Sequence, residues 1–298
     1  MKTWKAELLL LLITSIWGTT FALTKLALDD CSVFFFMFIR FLIAFVLMYI
    51  FLGKHLHKIE KWNFKNGVIL GILFAGGYLL QTVGLKYTSV TKSAFITGMS
   101  VVLTPFAFKF VIKKPIKAWQ WVGVIISFIG LWIFTNPTID NINIGDVFTL
   151  ISTIFWALYL TYMDVYTKDI TKYEHTIQLV FMQFLIAAPI GLIGHFAFDM
   201  ANFKFHLTSN LIVALLYNGI LASIILTIIH TSVQKYTTPV KAALIFTTEP
   251  VFATILAIII ISEIVTFREI TGGIIIISAV IVSELGEYWF GNTKLLKI

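Results

Sequence analysis

The sequence predicts an all-α integral membrane protein of about ten transmembrane helices, built as two inverted five-helix repeats. Three observations predict it. Hydrophobic residues make up 59% of the 298 and charged residues 12%, where soluble domains carry roughly 45–50% and about 25%. Apolar runs of about 20 residues, the length that crosses a bilayer core, recur along the whole chain. One phrase also occurs twice. Lys86-Tyr87-Thr88-Ser89-Val90-Thr91-Lys92-Ser93-Ala94, running on to Thr104-Pro105, returns as Lys235-Tyr236-Thr237-Thr238-Pro239-Val240-Lys241-Ala242-Ala243, running on to Thr248-Glu249-Pro250. The offset, 235 − 86 = 149, is half of the chain, and a repeat of that length sets the architecture.

The spans fall at roughly 6–27, 32–52, 66–85, 91–111, 118–135, 144–163, 175–198, 210–232, 239–261 and 268–289. Span 1 carries Trp17-Gly18, answered by Trp156-Ala157 in span 6. Span 2 carries Arg40-Phe41-Leu42-Ile43-Ala44, answered by Gln183-Phe184-Leu185-Ile186-Ala187 in span 7. Span 3 has Gly67, Gly71 and Gly76-Gly77, which allow close approach of another helix. Spans 4 and 9 open on the repeated phrase. Span 5 has Gln120-Trp121-Val122-Gly123, answered in span 10 by Glu269-Ile270-Thr271-Gly272. Five is odd, so the repeats, 1–138 and 139–298, run with opposite topology, the arrangement of transporters that bind substrate at the midplane.

Lysine and arginine set the orientation. With the N-terminus in the cytoplasm, Lys2, Lys5, Lys54, Lys58, Lys61, Lys65, Lys109, Lys113, Lys114, Lys117, Lys168, Lys172, Lys235, Lys294 and Lys297 lie inside. Lys86, Lys92, Lys204 and Arg268 lie outside with Asp29-Asp30. Both termini are expected in the cytoplasm, at the cell membrane. The net charge of +7 sits in short clusters between spans, so no nucleic-acid partner is expected. A lone cysteine, Cys31, excludes an intrachain disulfide. Met1-Lys2-Thr3-Trp4-Lys5 and the run Leu8–Ile13 mimic a signal peptide. The apolar run is too long for one, no small-residue cleavage site follows, and the segment has a counterpart in the second half.

The motifs resemble the drug/metabolite transporter superfamily, in its ten-helix form of two EamA domains. The resemblance rests on Ile16-Trp17-Gly18-Thr19-Thr20-Phe21 with Lys25, Phe38-Ile39-Arg40-Phe41-Leu42-Ile43-Ala44, Glu249-Pro250-Val251-Phe252-Ala253, Ser262-Glu263 and Thr271-Gly272-Gly273. It covers nearly the whole chain, and the order and spacing of the motifs carry it. It implies a multi-pass carrier of small organic metabolites, often an exporter of amino acids or related compounds. The first-half counterpart of Glu263 is Lys114, where a small acidic motif is common in the family.

Arg40 lies about eight residues into span 2, roughly 12 Å deep at 1.5 Å per residue. A charge there faces protein or water, either as a carboxylate or phosphate ligand or as a structural partner of helix-end carbonyls, Asp29 or Asp30. Glu249 lies roughly 15 Å into span 9 beside Pro250, which frees a carbonyl one turn back. It is read as a site for a cation, an amine or a proton, or as a hydrogen-bonded lock between spans. Lys25 either snorkels to the interface or lines the outer vestibule. Trp17, Tyr78, Gln81, Trp156, Tyr159 and Asn218 complete the candidate substrate site, the few polar groups of an apolar pocket. Gln183 belongs to the same inventory, and His230 is read as a packing histidine.

The chain has no Gly-rich phosphate loop, no His-Glu-x-x-His motif and no Gly-x-Ser-x-Gly elbow. No cofactor and no metal are expected; the partners are a small-molecule substrate and the bilayer, with the oligomeric state left open. The leading reading is a secondary active transporter whose halves rock around Arg40 and Glu249, with proton exchange as a candidate drive. A membrane enzyme acting on lipid-linked substrates, a channel and a non-transporting scaffold are the alternatives.

Overall fold

The computed structural model describes residues 1–56, 58–135, 143–261 and 266–290, so Glu263 lies outside the described residues. Helices follow one another with short links. They are α1 (Thr3–Ala27), α2 (Val33–Leu52), α3 (Lys61–Tyr87), α4 (Val90–Gly98), α5 (Ser100–Ile112), α6 (Ala118–Thr135) and α7 (Ile144–Thr167). Next come α8 (Tyr173–Gly194), α9 (Ser209–Leu216), α10 (Leu226–Val233), α11 (Pro239–Phe246), α12 (Glu249–Ile261) and α13 (Phe267–Phe290). Eight stretches are long and apolar enough to cross a membrane, and two shorter apolar helices, Ala118–Phe134 and Ile270–Ser283, bring the set to ten.

Four spans are not plain helices. Span 4 is α4 and α5, joined at Met99, and span 9 is α11 and α12, joined at Thr247 and Thr248. Span 7 ends in a π turn at His195–Asp199, and span 8 contains a π segment, Tyr217–Ile225, between α9 and α10. The repeated phrase folds the same way twice. Ser89 caps α4 by accepting from the Lys92 amide, and Thr238 caps α11 by accepting from the Lys241 amide. Capping satisfies backbone donors that the first turn leaves free.

Eight spans close a ring. Span 1 packs on 9, 9 on 4, 4 on 6, 6 on 3, 3 on 7, 7 on 2, 2 on 8, and 8 on 1. Every seam joins a first-repeat span to a second-repeat span, so the sequence halves interleave around the ring. Spans 5 and 10 pair outside it. Exchanging the repeats maps the 1–9 seam onto 6–4 and the 3–7 seam onto 8–2, as an inverted repeat requires.

Glycines bring several seams into contact. A Cβ on Gly67 or Gly71 of α3 would lie 2.5 Å from Met182 or 2.8 Å from Ile186 of α8. On Gly18 of α1 it would lie 2.9 Å from the Ala253 backbone nitrogen of α12. Small residues supply the close packing that lipid-embedded helices use in place of hydrophobic exclusion. The largest core cluster stacks Phe41, Phe74 and Phe184 between spans 2, 3 and 7, while Ile125, Ile129, Ile274 and Ile281 of the outer pair stay exposed.

Candidate functional site

The two broken spans meet in the middle of the ring. A Cβ on Gly98, at the end of α4, would lie 3.7 Å from Pro250 of α12. Pro250 falls in the first turn of α12, where a missing N–H removes no bond within that helix. Thr247 and Thr248 donate their hydroxyls to the Leu244 and Ile245 carbonyls, at 2.6 and 2.7 Å, where the helical ladder stops.

A cavity opens between the junctions. Its wall is aromatic. Tyr78 and Trp156 meet edge to face at 4.7 Å, and Trp156 meets Tyr159 at 5.7 Å. His230 forms the floor, ringed by Trp17 at 5.6 Å, Phe246 at 5.3 Å and Tyr159 at 6.2 Å. Thr20, Gln81, Thr97, Ser100 and Glu249 supply the polar groups. Gln81 donates to the Thr97 hydroxyl at 2.9 Å. Glu249 is the first residue of α12, where the helix dipole favours a carboxylate.

A second crevice continues from the cavity, sharing Thr20, Phe21, Tyr78 and Gln81. It leads away from the N-terminal face and adds Thr24, Arg40, Thr82 and Leu85. Arg40 is 2% exposed. Its guanidinium lies 4.4 Å from the Tyr78 ring centroid, Nε donates to Ser223 Oγ at 3.1 Å, and Nη2 has no partner. Ser223 belongs to the π segment of span 8, which packs on α2.

Six of the nine residues read from the sequence line the cavity: Trp17, Tyr78, Gln81, Trp156, Tyr159 and Glu249. Arg40 lines the crevice, with Tyr78 lining both spaces. Lys25 and Asn218 line neither. The Lys25 ammonium donates to the Leu85, Lys86 and Thr88 carbonyls at 2.7, 3.1 and 2.8 Å, tying the end of α1 to the end of α3. Asn218 is fully buried, its Nδ2 3.4 Å from the Thr24 hydroxyl. The hydroxyls of Thr20, Thr97 and Ser100 escape a reading by residue type, because Thr and Ser are common in these helices. Ser100 had a signal, since it stands 149 residues before Glu249.

The family model for the EamA-like transporter family matches residues 4–136 and 143–285. This chain belongs to the EamA-like transporter family. An uncharacterized transporter of Archaeoglobus fulgidus is 31% identical over 285 residues, covering 96% of this chain and 87% of that one. The uncharacterized transporter YoaV of Bacillus subtilis is 21% identical over 91% of this chain and 94% of its own. An S-adenosylmethionine uptake transporter of Rickettsia bellii is 24% identical over 55% of each chain. A solved crystal structure with 14% identity superposes with a TM-score of 0.72 over 94% of this chain and 98% of that one, a likeness of fold alone.

This EamA-like transporter carries the same polar clasp at both ends of the ring. Near the N-terminal face Lys241 Nζ lies 3.3 Å from Glu7, and the Thr237 hydroxyl reaches the same carboxylate at 3.4 Å. At the opposite face Lys92 Nζ lies 2.5 Å from Asp146, and the Thr88 hydroxyl donates to it at 2.7 Å. Lys241 and Thr237 follow Lys92 and Thr88 by 149 residues, and Asp146 follows Glu7 by 139, the offset of Trp156 from Trp17. One clasp joins spans 1 and 9, the other spans 6 and 4.

Proposed function

We propose that the protein is a secondary active transporter that moves a small amino-acid-like metabolite by alternating access. The observation that supports this best is the aromatic cavity at the meeting of two broken spans, with one carboxylate, Glu249, in its wall and one guanidinium, Arg40, in the crevice that leaves it. Broken helices at mid-membrane present backbone groups that bind ions and substrates. An ammonium or sulfonium group meets Glu249 and the faces of Trp17 and Trp156. A carboxylate of the same substrate meets Arg40 past Tyr78. Amino acids have this pattern, and so does S-adenosylmethionine, the compound named for the Rickettsia relative. Proton exchange on Glu249 is the proposed drive. Export is the direction the motif resemblance implies, and the relative's name gives uptake as the competing arm. The N-terminal face is proposed to be cytoplasmic, in the cell membrane.

The test is counterflow of labelled amino acids and S-adenosylmethionine in proteoliposomes. Saturable exchange that collapses in Glu249→Gln and Arg40→Ala is expected. Normal exchange by both variants would remove these residues from the mechanism. Non-saturable flux would favour a pore.

A further inference from the structure

The crevice past Arg40 has a counterpart built from the other repeat, and there the same positions are packed shut. On span 3 the crevice is lined by Tyr78, Gln81, Thr82 and Leu85. The offset of 149 carries these to Thr227, His230, Thr231 and Gln234 on span 8. Those four sit at helical spacings of three and four, so they share one face. Each is at most 1% exposed. Each also has a side-chain polar atom without a hydrogen-bond partner: Thr227 Oγ1, His230 Nδ1, Thr231 Oγ1 and Gln234 Nε2.

Within the row His230 Nε2 and Gln234 Oε1 lie 3.1 Å apart in a hydrogen bond, and the remaining four atoms have none. Such a row on one buried face is not what packing selects, because buried polar groups are otherwise paired. Four apolar side chains would fill the same space at lower cost. The row starts at His230 in the cavity floor and runs to Gln234, close to Thr237 and the Glu7–Lys241 clasp at the N-terminal face. Across from it, span 6 places Tyr159, Leu160 and Met163 where span 1 places Thr20, Phe21 and Thr24, at the offset of 139. Tyr159 fills the space and donates to Gln183 at 2.8 Å. Gln183 is the span 7 counterpart of Arg40.

We propose that the polar face Thr227, His230, Thr231 and Gln234, with Gln183, is the second half of the substrate passage, sealed in this conformation. It becomes wet when the Arg40 crevice closes, and it takes the same zwitterionic substrate with an amide in place of the guanidinium. This rests on the alternating-access reading above and adds the route. A charged ligand on one side and a neutral one on the other give the two openings unequal affinities, with the lower KM at the Arg40 face.

The experiment needs no substrate, so its outcome is separate from that of the counterflow assay. In full-length Cys31→Ser protein in sealed vesicles, Gln234→Cys or Thr231→Cys is combined with Thr82→Cys. A small methanethiosulfonate is added from the N-terminal face, with and without prior reaction of position 82 with a bulky impermeant maleimide from the other face. The expected result is labelling at 231 and 234 that slows about ten-fold or more once the wedge holds the Arg40 crevice open, a population shift of the open forms. Labelling at 82 from the far face and not from the N-terminal face shows that the variant is folded. Positions 231 and 234 that never label, or that label at the same rate with the wedge in place, would overturn the proposal.

Discussion

The junction Gly98–Ser100 in span 4 and the junction Thr247–Glu249 in span 9 stand 149 residues apart and both border the cavity. Both interrupt the helix after one half-span that a Ser or Thr side chain caps. Ser100 and Glu249 occupy equivalent positions and both line the cavity. The backbone break is therefore a property of the repeat, and the charge is a property of one copy. On the proposed mechanism, a symmetric scaffold with an asymmetric carboxylate would give a substrate one orientation rather than two.

Substitution at the paired positions breaks this comparison most sharply. Glu249→Gln keeps the size and removes the charge. Losing a charged hydrogen bond costs about 2–3 kcal/mol, so counterflow should fall about 100-fold while the detergent melting temperature holds. Ser100→Ala should change exchange less than about three-fold, as expected for a neutral hydrogen bond. The double exchange Ser100→Glu with Glu249→Ser is the sharpening arm. Recovered transport in that variant would mean that the cavity tolerates the carboxylate on either junction, and orientation would then have to come from Arg40.

The clasps give the next largest effect. Lys241 and Glu7 are 10% and 14% exposed, and Lys92 and Asp146 are 27% and 7%. Asp146 also accepts from the Asn143 amide in a capping box and from Thr88, whereas Glu7 keeps Thr237 at 3.4 Å. Breaking a buried pair from one side leaves a charge behind and costs about 3 kcal/mol. Lys241→Ala should approach that, and Lys92→Ala should cost less, about 1 kcal/mol, because Lys92 is partly exposed and Asp146 keeps the Thr88 and Asn143 donors. Thermal unfolding in detergent reads the difference. The reversed pair Glu7→Lys with Lys241→Glu should recover most of the loss. Equal losses at both clasps would mean that the extra donors on Asp146 contribute nothing.

The architecture was legible in the sequence because a bilayer imposes a length and a polarity on every span. The doubled phrase at Lys86 and Lys235 then supplied the repeat. Aromatic and acidic residues of the cavity, such as Trp156 and Glu249, stood out because they are rare in apolar helices. The order of helices around the ring did not show, since it depends on which glycine meets which side chain, as Gly71 meets Ile186. Nor did the separation of Arg40 from Glu249 by Tyr78, which depends on rotamers. The place of Lys25 on three carbonyls was equally hidden, because a lysine at a helix end has the same sequence whether it snorkels or caps a neighbour.

Lys25 tests that last point with a smaller effect. Its repeat counterpart at the offset of 139 is Asp164, which pairs with Lys168 on its own helix at 3.3 Å. Lys25→Met keeps the aliphatic stem and removes the donors to the α3 terminus. A net loss of about 1–2 kcal/mol is expected for hydrogen bonds from a charged group, against a smaller loss for Lys168→Met, whose ammonium is half exposed although its partner Asp164 is buried. Equal melting temperatures for both variants would return Lys25 to the role of an interface anchor.

The last test concerns the loop between α1 and α2. Cys31 is 1% exposed and forms a β-bridge with Phe205. Burial first, then the nearby Asp199 and Asp30, push its thiol up to about 12. An unfolded cysteine titrates near 8.5, so the folded chain holds the proton more tightly than the unfolded one. The stabilisation is complete below about pH 8.5 and is lost as pH rises toward 12. Between pH 8 and pH 10 the melting temperature of the wild type should therefore fall more than that of Cys31→Ser, the lysines being common to both. The same burial keeps the thiolate scarce at neutral pH, and the thiolate is the reactive form. Iodoacetamide at pH 7.5 should leave Cys31 unmodified in the folded protein and modify it after denaturation. Rapid modification of the native chain would place this loop open to water.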